Sequence, residues 1–205
     1  GGPPAFRMSD SSPSPTALIW DDALAGYRFR SGHPMDPRRL RLTVELIRSL
    51  GLVGDAPRPG LAPRVATEEE LLLVHTREYV EAVKRLSAPG ADVAEGRAWG
   101  LGTEDTPVVE GMHEKTAWLG GRVLVAAEAV MGGRVRRAFA PAGGLHHAMP
   151  ARASGFCVYN DLAVAIRWMQ REHGARVMYV DVDAHHGDGV QEVFYDDPEV
   201  LTVSF

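Results

Sequence analysis

The chain has 205 residues, 45% of them hydrophobic and 24% charged, with a formal net charge of −5. That is enough apolar material for one sizeable α/β domain, and too much for a disordered chain. The acidic balance argues against nucleic-acid binding, whose footprint is usually basic. No apolar run reaches the roughly 18–20 residues that span a bilayer, and the start lacks the plan of a signal peptide. Cys157 is the only cysteine, which excludes an intrachain disulfide and suits a reducing cytoplasm.

Residues 1–16 are rich in Gly, Pro and Ser and read as a disordered tail, leaving 17–205 as the domain. Ala17-Leu18-Ile19-Trp20 reads as a first strand. Asp36-Pro37 opens a helix closed before Gly51, with Leu40, Val44, Ile47 and Leu50 as its expected buried stripe. Thr67 and Glu70 have capping-box spacing, and Thr76 reads as the cap of the next helix. Residues 87–107 read as one long loop. Glu110 to Met131 reads as a helix in spite of Gly120-Gly121, a pair that allows close packing against a sheet.

A strand at 135–140 then leads into Gly143-Gly144-Leu145-His146-His147-Ala148-Met149-Pro150. A helix follows from about Leu162 to His173, with Asp161 as its expected cap and Gly174 as its stop. The run Arg176 to Asp183 reads as a buried strand delivering Asp181, Asp183 and His185 to its C-terminal end. In open α/β sheets ligand crevices form there, and residues two apart share a strand face. Carboxylate and imidazole converging at such an end suit zinc or ferrous iron, without choosing between them. A short helix near Val190–Tyr195 and a strand at 200–204 close the chain. Strands alternating with helices mean a parallel sheet.

Several separate motifs, in order from about Leu18 to Phe205, resemble the histone deacetylase superfamily. They are Gly100 to Pro107, Gly143 to Pro150, Ser154 to Asp161 and Val180 to Gly189. The resemblance is to the bacterial acetoin-utilisation branch. It implies an α/β, three-layer arginase/deacetylase-like fold with a central parallel sheet, incomplete on its C-terminal side.

The resemblance also implies roles. Asp183 and His185 match two of three zinc ligands. His146 and His147 match paired catalytic histidines, and Asp181 and Asp188 the carboxylates behind them. Asp105 matches a rim residue that holds the substrate backbone, and Gly155 and Phe156 the wall of an acyl-lysine tunnel. Ser204 and Phe205, with Asp181, Asp183 and His185, match a structural potassium site.

The implied reaction is hydrolysis of an N-acetyl amide, on a protein lysine or on an acetylpolyamine or other small acetylamide. The family's third metal ligand and a carbonyl-polarising tyrosine lie beyond Phe205, so this polypeptide alone is expected to bind metal weakly and turn over little. A non-catalytic, truncated binding module is the reading from a different class. Arginase-like dimetal chemistry would need an aspartate two residues after His185, where Gly187 stands.

Outside the implied site, His75 reads as structural, Cys157 as a small buried hydrophobe, and His113 and His173 as solvated helix positions. His33-Pro34 borders the pocket by resemblance.

Overall fold

The computed structural model describes residues 16–22, 36–52 and 61–205. The expected tail and His33-Pro34 lie outside these residues, except for Thr16, which opens the first strand instead of ending a tail. Strand β1 (Thr16–Leu18) pairs in parallel with β2 (Arg137–Phe139). Strand β3 (Val177–Asp181) pairs in parallel with β4 (Val200–Ser204). Among the described residues no ladder joins the two pairs.

Helix α1 (Pro37–Ser49) starts as its sequence predicts, with the Asp36 side chain accepting from the Arg38 N–H and proline at the first turn. Its expected stripe is only half right. Val44 is buried, but Leu50 is 62% exposed, as are Leu42 and Leu46 in large part. The helix meets the body on a narrow face, and leucines on the other face stay outside.

Thr67 and Glu70 form the capping box of the one-turn α2 (Glu68–Leu71), and Thr76 caps α3 (Arg77–Leu86). The expected long loop contains α4 (Val93–Gly96), capped by Asp92, and a 3-10 turn at Arg97–Trp99. Asp92 is an ordinary cap signal, hidden by the glycines around it.

Helix α5 (Met112–Met131) runs through Gly120-Gly121 unbroken. The pair packs against the extended segment at Arg64–Ala66, not against a sheet: a Cβ on Gly121 would lie 1.9 Å from the Arg64 carbonyl oxygen. Further along α5, Val125 and Ala129 cover Ala17 and Ile19 beside β1.

Helices α6 (Asp161–His173) and α7 (Asp188–Phe194) cover one face of β3–β4 through Ala163, Ile166, Val190 and Phe194. The other face shows Met178, Val180 and Leu201 to solvent. Helices thus lie on one side of each strand pair, and the strand ends gather the loops that carry the polar motifs.

One buried cation stands apart. Arg122 of α5 is fully buried with its guanidinium 3.6 Å from the Trp118 ring centroid, and no hydrogen-bond partner among the described residues reaches it. Burial lowers its pKa to about 10, against the pull of Asp21. Stacking on the indole is its compensation.

Candidate active site

Strand β3 ends at Asp181, so the alternation expected to bring Asp181, Asp183 and His185 onto one face stops there. Two successive side-chain turns replace it. The Asp181 Oδ1 accepts from the Asp183 N–H at 2.9 Å, and the Asp183 Oδ1 accepts from the His185 N–H at 2.8 Å. Asp181 therefore turns inward and is buried, while Asp183 and His185 stand side by side and exposed, Oδ1 to Nδ1 at 2.9 Å. The His185 N–H holds the Asp183 carboxyl below the usual carboxylate range.

The Gly143–Pro150 loop meets these residues from β2. His146 Nδ1 lies 2.6 Å from Asp181 Oδ2, and His147 Nδ1 lies 2.5 Å from Asp188 Oδ1. Each carboxylate thus accepts a hydrogen bond from Nδ1–H, which leaves Nε2 facing the cavity side free of that bond. The two rings are 4.0 Å apart, and the His185 ring is 5.8 Å from that of His147. The pairs differ in exposure: His146 and Asp181 are 8% and 6% exposed, His147 and Asp188 17% and 42%. Burial opposes ionisation of Asp181, but hydrogen bonds from Tyr179 and His146 outweigh it and hold its carboxyl low. The Tyr179 hydroxyl donates to the same Asp181 oxygen that His146 meets.

A cavity of about 650 Å³ opens over these groups. His146, His147, Asp183, His185, Asp105, Gly155 and Phe156 all line it, and Asp181 and Asp188 stand behind the two histidines. Gly155 lies against His147 at φ 49°, where a Cβ would fall 2.4 Å from the ring and displace it. Phe156 takes φ 72°, a strained setting for a bulky side chain, and its N–H donates to Thr106 Oγ1 at 3.2 Å. That bond ties the aromatic wall to the loop bearing Asp105.

Cavity-lining Asp36, the cap of α1, Arg39 and Leu40 within it, and Leu119 of α5 were not anticipated from sequence. Nor was Tyr179, although its place two residues before Asp181 on the strand was a usable signal. Cys157 is buried, with its thiol pushed up to about 12 by burial, so it is no nucleophile at neutral pH.

His113 corrects its expected solvated position. It is half-buried with Nδ1 2.9 Å from the Tyr159 hydroxyl, and its N–H donates to Ser87 Oγ at 2.8 Å. Asp161 is also reassigned. Asn160 caps α6, while Asp161 is buried, accepts from the Gly144 and Leu145 N–H groups, and has its pKa raised by burial to about 6.

His75 is buried, and burial lowers its pKa from 6.5 to about 4. The unfolded ring takes a proton near 6.5 and the folded ring near 4. Between those values the unfolded state binds more protons, so this contribution to stability is lost as pH falls. His75→Gln removes it, while Asp161 acts alike in both chains and drops out of the difference. From pH 7 to pH 5 wild type should therefore lose about 2 kcal/mol relative to the variant in urea unfolding. A pH-independent difference would contradict a neutral, buried ring.

Comparison with known proteins places the chain in a family. A profile described as histone deacetylase domain matches residues 33–205. The chain belongs to the histone deacetylase family. It is 48% identical over 189 residues to the acetoin utilization protein AcuC of Bacillus subtilis (strain 168), covering 92% of this chain and 48% of the relative. Against AcuC of Staphylococcus aureus (strain MSSA476) the identity is 42% over 191 residues, covering 93% and 49%.

Among solved structures, a crystal structure of an HDAC homolog complexed with SAHA superposes with a TM-score of 0.82 at 34% identity. It covers 92% of this chain and 50% of that one. An HDAC homolog from Aquifex aeolicus gives 0.79, also at 34% identity, covering 92% and 50%. The fold is therefore the three-layer arginase/deacetylase-like α/β type, and the chain spans about half the length of the relatives it matches.

Proposed function

We propose that this chain carries the histidine half of the active site of an acetyl-amide hydrolase. The substrate is an acetylated protein lysine, and the products are acetate and the free amine. One observation carries the reading: two histidines, each backed by its own carboxylate, line the cavity that also receives Asp183 and His185.

Asp183 and His185 supply an oxygen and a nitrogen donor suited to zinc, with ferrous iron as the other metal of matching preference. Among the described residues no group of three His, Cys, Asp or Glu gathers to hold a metal ion. The pair would fill two positions of a three-ligand site. Zinc, when bound, acidifies water and polarises the amide carbonyl.

The chain's own groups do the rest. His147, the more open of the pair, takes a proton from water at Nε2 and returns one to the leaving amine. Asp188 fixes its tautomer and steadies the charge it gains. His146, sealed in with Asp181, holds a hydrogen bond on the reacting centre. Phe156 and Gly155 flank a slot for an aliphatic stem, and Asp105 at its mouth accepts from substrate backbone N–H groups.

The ends of β3 and β4 set Asp181 opposite Ser204, and the Phe205 N–H donates to the Asp181 carbonyl. A structural potassium site there would draw on Asp181, Asp183, His185, Ser204 and Phe205. No helix among the described residues is long and apolar enough to cross a membrane. With one free thiol, the cytoplasm is the proposed location.

The test uses the protein as its source makes it. Acetate released from an acetyl-lysine peptide and from an acetylpolyamine is measured before chelation, after it, and after adding zinc. Chelator-sensitive release that zinc restores is expected, faster from the peptide. Faster release from the polyamine would move the substrate class to small acetylamides. No release from either would sink the enzyme reading.

A further inference from the structure

The loop bearing both histidines has little regular structure of its own, yet four of its backbone groups meet the start of α6. Asn160 and Asp161 are 0% and 1% exposed. The Asp161 carboxylate accepts from the Leu145 N–H at 2.8 Å and the Gly144 N–H at 3.0 Å, just ahead of His146. The Asn160 amide donates to the Ala148 carbonyl at 3.0 Å and the His146 carbonyl at 3.4 Å, on either side of His147. Its oxygen meanwhile caps α6 by accepting from the Ala163 N–H at 3.0 Å.

His75, 2% exposed, seats this pair. Its Nε2 accepts from the Asn160 N–H at 3.0 Å, so Nδ1 carries the proton and donates to the Pro150 carbonyl at 3.3 Å. From the other side, Gly189 of α7 presses on the same backbone: a Cβ there would lie 2.5 Å from both the His146 and Ala148 carbonyl oxygens.

We infer that Asn160 and Asp161, seated by His75, are positioning residues: a buried clamp that fixes His146 and His147 against their carboxylates and the cavity. The functional importance of the clamp rests on the proposed roles of those two histidines. The physical case is direct. A loop held by four hydrogen bonds from one helix start, three of them buried, is restrained from drifting, and an ångström of misplacement at a reacting centre costs on the order of 10²-fold in rate. A cap alone would need only the Asn160 oxygen; the amide nitrogen and the Asp161 carboxylate are aimed at the loop instead.

Asn160→Ser separates the two jobs. A serine oxygen still caps α6, but it is too short to reach the His146 and Ala148 carbonyls. Amide hydrogen exchange, read by mass spectrometry without substrate, should quicken at least about tenfold over 145–149. Residues 164–172 of α6 should stay within about twofold. With an acetyl-lysine peptide, kcat should fall by about 10–100-fold and KM change by less than about twofold. Unchanged exchange at 145–149, or a rise spread evenly through α6, overturns the clamp.

If Asn160→Ser does not fold, His75→Gln and His75→Leu decide. The glutamine can accept from Asn160 and donate to Pro150, so it should keep the loop protected where leucine does not, and equal behaviour overturns the inference. A wild type that releases no acetate would overturn the enzyme reading, while the exchange comparison still judges the clamp.

Discussion

His147→Ala is expected to lower the turnover of an acetyl-lysine peptide by about 10²–10⁴-fold while leaving bound metal at the wild-type level. His147 is the more open of two rings 4.0 Å apart, its ring centre lies 5.8 Å from that of His185, and it lines the same cavity as Asp183. Its Nδ1 is committed to Asp188 at 2.5 Å, which leaves Nε2 to exchange protons.

Asp188→Asn keeps the shape of the pair but loses the charge that steadies the protonated ring. Turnover should fall about 10–100-fold in that variant. The double variant should be scarcely slower than His147→Ala, because the carboxylate acts only through the ring. Stopped-time acetate assays on the three proteins, with metal content measured beside them, check this. Turnover of His147→Ala within twofold of wild type would remove proton transfer from this residue. A double variant slowed by the product of the two single effects would give Asp188 a job of its own.

Part of the candidate site was legible along the chain: Asp181, Asp183 and His185 follow the apolar, β-branched-rich run Val177–Val180, and His146 and His147 follow a Gly-Gly turn. The pairing was less so. His146 and Asp181 are 35 residues apart, and His147 and Asp188 are 41 apart. No spacing rule joins them, and the pairing came from family resemblance.

Local rules failed where tertiary contacts claimed a residue. Asp161 looks like a cap, but it is drawn to the Gly144 and Leu145 N–H groups, and Asn160 takes the cap. The period of β3 predicted Asp183 and His185 on the strand face, but Asp181 captures the Asp183 N–H and ends the strand. Leu50 fits the helical period of α1, yet no described segment covers that side.

Gly120 and Gly121 should respond to the same substitution with opposite signs. Both sit inside α5, where glycine costs about 0.5–1 kcal/mol relative to alanine. A Cβ on Gly120 would find its nearest neighbours, the Cβ atoms of Ala66 and Asp161, at 3.9 Å, an ordinary contact. Gly120→Ala should therefore stabilise by up to that amount. A Cβ on Gly121 would fall 1.9 Å from the Arg64 carbonyl oxygen and 2.7 Å from the Ala66 nitrogen. These are backbone atoms, and the Ala66 N–H is fixed to the Ala117 carbonyl of α5 at 2.9 Å. Arg64 is anchored as well, to Glu70 at 2.6 Å and to Glu128 of α5 at 2.5 Å.

With neither side free to yield, Gly121→Ala should cost at least about 3 kcal/mol, read as a lowered urea midpoint by far-ultraviolet circular dichroism. The damage should reach the site too. Segment 64–66 leads directly into α2 and on to His75, so displacing it from α5 also unseats the clamp behind His146 and His147. Equal midpoints for Gly121→Ala and wild type would mean that α5 and the 64–66 segment are not in backbone contact, and this route from the helix to the histidine loop would be lost.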